Sequence, residues 1–267
     1  MVKFPKWIVA LLILGIMFNT TGCKKQEKIQ KKPSTSTESQ VPKELTKIEK
    51  DIEKIIDEAK KIKTVYKTPE KSQSDEKTKS KKEEKQKPSQ NEIKWQQIEK
   101  NLKDIHNDWN SLSTLAMKKG TKLNLINSMS AAINDLTLVI EKKSKTDVLI
   151  YANGVYKYIP EFEKLFSDET LTSELKKLKF YCRDIEFKSE TEKWDEISKD
   201  IVDVNSIWET LKPRLPKNAK ASADKLEGSI AELQKAVKLH NKLLTKIKAE
   251  VMLNTLKSLE KVSKPKE

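Results

Sequence analysis

The chain has 267 residues, 54 Lys and Arg against 40 Asp and Glu, and a formal net charge of +14. Charged residues make up 35% of it, while Gly occurs five times and His twice. Neither GxGxxG nor GxxxxGK can be written, which excludes a Gly-rich phosphate cradle, and two His cannot supply a multi-His zinc site.

In chain order, Lys3 and Lys6 precede an unbroken apolar run from Trp7 to Phe18. The run is shorter than the roughly 20 residues a membrane-spanning helix needs, and fits the apolar region of a secretory signal. It leads into Thr20-Thr21-Gly22-Cys23. This segment resembles the lipobox of bacterial lipoproteins, in which a small residue precedes an invariant Cys; Thr20 stands where Leu is usual. The resemblance covers residues 1–23 only. It implies a signal peptide over 1–22, cleavage between Gly22 and Cys23, and diacylglyceryl transfer to the Cys23 thiol with a palmitate-type anchor. The mature chain would then sit on the extracytoplasmic face of the cell membrane. Two acyl chains anchor stably where one does not. Cys182 is the only other cysteine, so no intramolecular disulfide forms and the core must hold the fold.

Residues 23–43 read as the lipidated Cys and a disordered linker, with Ile29 and Val41 as isolated apolar side chains. Residues 44–67 form an amphipathic heptad helix: Leu45, Ile48, Ile52, Ile55, Ala59, Ile62 and Tyr66 step by three and four. A lone helix of this length is marginal in water. Its stripe is expected to dock on its own domain, to self-associate as a weak coiled coil, to meet a protein partner, or to lie on the membrane surface. Glu49, Glu53, Lys50 and Lys54 are expected on its exposed faces. Residues 68–91 lack any apolar side chain and read as a second disordered, charged linker. Residues 24–91 carry 20 Lys against 13 acids, and 92–267 carry 32 basic against 27 acidic residues. The basic excess is thus densest in the tether, and no aromatic interleaving supports nucleic-acid binding.

Residues 92–267 are expected to form an all-α, elongated antiparallel helical bundle of two tandem repeats, about 92–166 and 190–262. The first stripe runs Trp95, Ile98, Leu102, Ile105, Trp109, Leu112 and Leu115, and ends at Gly120 as a C-cap. The second runs from Leu123 to Ile140. Ser144 and Asp147 resemble a capping box opening a third helix, which Gly154 and Pro160 should weaken or kink. Leu171, Leu175, Leu178, Cys182 and Ile185 follow, then Trp194 to Leu211, stopped by Pro213 and Pro216. A last helix is expected from about Ala219 through His240 to Val251. The repeat, read as two copies of a helical hairpin or three-helix unit, rests on Trp95/Trp109 and Trp194/Trp208, equally spaced and offset by 99 residues.

Few residues invite chemistry. The four Trp could form a ligand platform, but large aromatics also fill wide bundle cores. His240 is expected on the apolar stripe, His106 on a solvated face, and Cys182 as a small buried hydrophobe. A soft-metal site of Cys182, Met129, Met252 and His240 would require folding to unite them. No catalytic constellation and no cofactor motif emerges. The sequence therefore reads as a lipid-anchored cell-surface protein with a non-enzymatic ectodomain, a protein-interaction or envelope-assembly module. The alternative is a small-molecule or metal carrier with an aromatic-lined cavity between repeats.

Overall fold

Residues 41–63, 88–168 and 170–263 are described by the structure, a computed structural model. The expected signal peptide, Cys23, and most of both linkers lie outside these residues. The described residues form nine α-helices and no strand: α1 (Lys43–Lys61), α2 (Gln90–Lys118), α3 (Leu123–Glu141), α4 (Lys145–Tyr156), α5 (Ile159–Phe166), α6 (Thr170–Ser189), α7 (Trp194–Leu211), α8 (Lys220–Lys238) and α9 (Lys242–Ser263).

The heptad stripe is buried from Leu45 to Ile62, while its last member, Tyr66, lies outside the described residues. Leu45, Ile48, Ile52, Ile55, Ile56 and Ala59 are all buried, in one core with α2, α3, α4 and α5. Glu44 in the first turn and Lys60 and Lys61 in the last complement the helix dipole. The domain core therefore begins at Leu45, not at residue 92. The stripe chooses its own chain because α2 and α4 present matching apolar faces that would otherwise meet water.

Helices α1 to α4 close a ring, each packed on the next and α4 back on α1. Helices α6 to α9 close a second ring with the same order and a core of their own. The repeat is thus a four-helix unit rather than a hairpin or three-helix unit, and α1 and α6 are its opening helices. The turns match as well. Lys143 after α3 and His240 after α8 both take a left-handed backbone, φ 51° and 48°, and lie 97 residues apart.

Side-chain pairs fix the directions. Lys47 on Asp108 and Lys63 beside Asn91 set α1 antiparallel to α2. Glu49 on Lys176 and Lys60 on Glu186 set α1 parallel to α6. The Lys63 N–H donates to Asn91 Oδ1 at 3.2 Å, and Asn91 Nδ2 donates to the Lys63 carbonyl at 2.9 Å. The chain between α1 and α2 therefore leaves and re-enters the domain at one place.

Local capping departs from the sequence reading in three places. The capping box forms at Ser89 and Glu92, opening α2, while Ser144 occupies the N-cap of α4 without a side-chain cap bond. The third helix is broken rather than kinked, α4 ending at Tyr156 and α5 restarting with Pro160 in its first turn. The expected last helix is two. It stops at Lys238, His240 turns the chain, and Asn241 Oδ1 accepts the Leu244 N–H at 2.9 Å to start α9. Gly120 ends α2 as expected: with φ 78°, its N–H bonds to the Met117 carbonyl, and the Thr121 N–H to that of Ala116.

Among the described residues one helix, α3, is long and apolar enough to cross a membrane. Its apolar stripe, Ile126, Met129, Ile133, Leu136 and Ile140, is buried in the first core.

Candidate functional site at the seam between the two bundles

The rings meet along α1, α4, α5 and α6, and the seam is built from charge. Lys176 of α6 bridges Glu49 of α1 and Glu163 of α5, each at 2.8 Å. Glu49 also accepts the Tyr156 hydroxyl at 3.2 Å, and Glu163 that of Ser173 at 3.2 Å. One turn further, Arg183 grips both oxygens of Glu53, which Lys179 joins at 2.8 Å. The Arg183 guanidinium lies over the Tyr156 ring, 5.1 Å from its centroid. Lys60 closes the row on Glu186 at 2.7 Å.

Burial works to raise the Glu53 carboxyl, but Arg183 and Lys179 outweigh it and hold it at about 2. Burial also pushes the Tyr156 hydroxyl well above its ordinary value, so it stays a neutral donor to Glu49. Glu186 keeps a raised pKa because burial exceeds what Lys60 supplies.

A second cluster ties α6 to α7. Lys188 pairs with Asp184 at 2.6 Å, Asp200 at 3.2 Å and Glu196 at 3.2 Å. Burial first, and the neighbouring Asp184 second, raise Asp200 to about 7. Asn153 on α4 donates to the Phe180 carbonyl at 3.0 Å and lies 3.5 Å from Asp184. Asn153 thereby links α4 to α6.

Beside this cluster a groove of about 300 Å³ opens between the bundles. Leu125, Tyr158, Phe180, Tyr181 and Ile207 give it an apolar, aromatic side, and Lys157, Glu161, Lys177 and Asp203 a charged one, in which Lys177 pairs with Glu161 at 3.0 Å. Its volume matches the lower end of small-ligand pockets. Phe180 and Tyr181 meet edge to face, 4.9 Å between centroids.

The four Trp do not gather. Trp95 and Trp109 are buried in the first core, Trp208 in the second. Trp109 Nε1 donates to Ser130 Oγ at 2.9 Å and its ring meets Phe162 edge to face. At the equivalent place, Trp208 Nε1 is buried without a hydrogen bond of ordinary geometry, although Glu227, which occupies the position of Ser130, feels the indole weakly after Lys212. Trp194 alone of the four keeps a partly exposed ring, stacked on His240 at 5.1 Å. The spacing that defines the repeat therefore mostly defines its cores.

His240 is exposed at a turn, because the break after Lys238 takes it out of the apolar register. His106 is half-buried and shares a 2.9 Å hydrogen bond with Thr137. Cys182 is buried, donates to the Ala249 carbonyl at 3.3 Å, and burial pushes its thiol far up. Met129 lies in the first core, Cys182 and Met252 in the second, so folding does not unite the soft-metal candidates. No cluster of three His, Cys, Asp or Glu fit for a metal occurs among the described residues.

Sequence reasoning missed the seam. Glu49 and Glu53 look like ordinary flanks of a heptad helix, and their partners lie more than 100 residues away. The available signal was the run Lys176-Lys177, Lys179 and Arg183 interleaved with the apolar stripe of α6. Comparison with known protein families, with characterised proteins and with solved structures finds no match to this chain.

Proposed function

We propose that the chain is an exported lipoprotein, anchored through Cys23, whose double helical bundle is a non-enzymatic interaction module at the cell surface. The lipobox-like Thr20-Thr21-Gly22-Cys23 supports the anchor. The observation that carries the interaction reading is an exposed apolar row on α9, Leu243, Ile247 and Val251, four residues apart, with exposed Leu239 in the turn before it. Leu243 is 67% exposed. The second core is closed without these residues, so their apolar character adds nothing to folding.

Two measurements test the reading. Palmitate labelling in cells is expected to require Cys23, and label persisting in Cys23→Ala refutes the anchor. A photocrosslinking amino acid at Leu243 is expected to give one discrete adduct in cells, absent when Ile247 is changed to Glu. A smear or no adduct at Leu243 refutes the interaction surface.

A second reading is favoured by the groove between the bundles. Its aromatic side suits a small apolar or aromatic ligand held by stacking, with Lys157, Asp203 and the Lys177–Glu161 pair at its charged side to orient it. Phe180→Trp would place a fluorophore in the groove, and its spectrum is expected to shift with such a ligand. An unchanged spectrum across a ligand panel removes this reading.

A further inference from the structure

The helix directions gather the turns at two opposite ends, and the ends differ in chemistry. One end holds the α2–α3 turn and the α7–α8 connection. Residues 117–123 and 212–223 there carry Lys118, Lys119, Lys122, Lys212, Arg214, Lys217 and Lys220 and no carboxylate, while Asp168, two residues past Phe166, and Glu44 at the start of α1 lie at the same end. The other end holds the α3–α4 and α6–α7 turns. Residues 141–147 and 189–196 mix Lys142, Lys143, Lys145 and Lys193 with Glu141, Asp147, Glu190, Glu192, Asp195 and Glu196, and the α8–α9 turn beside them adds Lys238 and Lys242.

At the basic end Lys212 is held by Glu227, and Lys119 lies over the Phe166 ring. No described carboxylate pairs with Lys118, Lys122, Lys217 or Lys220. Between these cations Met117 and Leu123 are 52% and 63% exposed, and Leu115 is exposed beside them. Apolar side chains at the tip of a turn, ringed by unpaired lysines, match an anionic lipid interface better than water.

The course of the chain brings this end to the membrane. Lys47 pairs with Asp108, so α1 begins level with Leu112 and the chain from Cys23 enters at the basic end. The segment from Cys23 to Lys43 spans at most about 70 Å when fully extended. We infer that the α2–α3 tip and the α7–α8 connection rest on anionic lipid headgroups, with Met117 and Leu123 dipping into the interface. This orientation rests on the lipid-anchor reading, although the contact itself needs no acyl chain.

The test uses the chain from residue 23 onward with Cys23→Ala, which removes the lipid and keeps the tether. It is sedimented with phosphatidylcholine vesicles, with and without roughly one third phosphatidylglycerol; each well-placed Lys adds about five-fold in partitioning. Binding is expected only with the anionic lipid, and to fall as salt rises. K118E with K122E is expected to cut binding at least 25-fold, two lysines at about five-fold each. K142E with K238E makes the same charge change away from this tip and is expected to leave binding within about two-fold, because screening confines the attraction to charges at the surface. Circular dichroism confirms that both variants stay helical. An environment-sensitive dye on Met117→Cys is expected to shift blue on anionic vesicles, and one on Lys142→Cys is not. Equal losses in the two charge variants, or no binding to anionic vesicles, overturns the orientation. Palmitate labelling at Cys23 is read separately, so this docking can fail while the anchor stands.

Discussion

Changing Glu53 to Gln removes one negative charge from the seam and leaves the Arg183 guanidinium without its two-pronged partner. The Arg183 side chain is 8% exposed and Glu53 25%, so water compensates little of the loss. The magnitude follows from the proton affinity. Glu53 falls from an ordinary 4.5 to about 2 on folding, which at about 1.36 kcal/mol per pH unit is roughly 3 kcal/mol. Removing one partner of a buried pair costs about 3–5 kcal/mol by a separate route of reasoning. Because the folded pKa is depressed, this stability is fully present above about 4.5 and is lost as pH falls through about 2. Urea unfolding followed by circular dichroism is expected to place Glu53→Gln roughly 3 kcal/mol below the parent near neutral pH. The gap should narrow below about pH 4.5 and close near pH 2. Arg183→Met should cost a similar amount, and the double variant should recover part of both losses. A Glu53→Gln chain as stable as the parent at neutral pH, or a gap that ignores pH, refutes the seam as a stabilising contact.

Asp200 has the opposite sign: its folded pKa is raised to about 7, so folding is favoured while it is protonated and loses that contribution as pH rises through about 7. Asp200→Asn is expected to raise the urea midpoint at mildly alkaline pH more than at mildly acid pH; a uniform shift would contradict this. Ile52→Ala opens a cavity in the first core and is expected to cost about 2–5 kcal/mol in the same assay, whereas a stalk helix apart from the core would register nothing. Replacing residues 64–87 by a short Gly-Ser bridge shortens the loop between Lys63 and Asn91 and is expected to add roughly 1 kcal/mol of stability, since a shorter loop is easier to close; marked destabilisation would mean that the segment packs on the domain. In the Cys23→Ala chain, Cys182 is expected to react with a disulfide reagent only on unfolding, and reaction in native buffer would contradict its burial.

Periodicity made the apolar face of every long helix readable, and the Trp pairs exposed the repeat. What periodicity cannot carry is the identity of the partner. The α1 stripe from Leu45 to Ala59 announces a face to be buried but names no neighbour, so the ring of four helices had to come from tertiary packing. Long-range charge is equally silent: Glu53 and Arg183 are 130 residues apart, and no local rule pairs them. Breaks were misread where an apolar stripe runs on across a turn. Val237 and Leu244 continue one register on paper, while Asn241 caps a new helix between them. Polar residues that cap compete with stripes that extend, and at His240 the cap wins.

The paired bonds between Lys63 and Asn91 change what a cut in the chain would do. Proteolysis anywhere in residues 64–87 would separate Cys23 and α1 from everything that follows, as far as covalent bonds go. The severed helix would still lie in its ring, with Ile48, Ile52 and Ile55 buried and Glu53 gripped by Arg183. Under the proposed anchoring through Cys23, whether the ectodomain stays at the membrane or is shed would then depend on the dissociation rate of one helix, and a protease could turn a permanent attachment into a timed one.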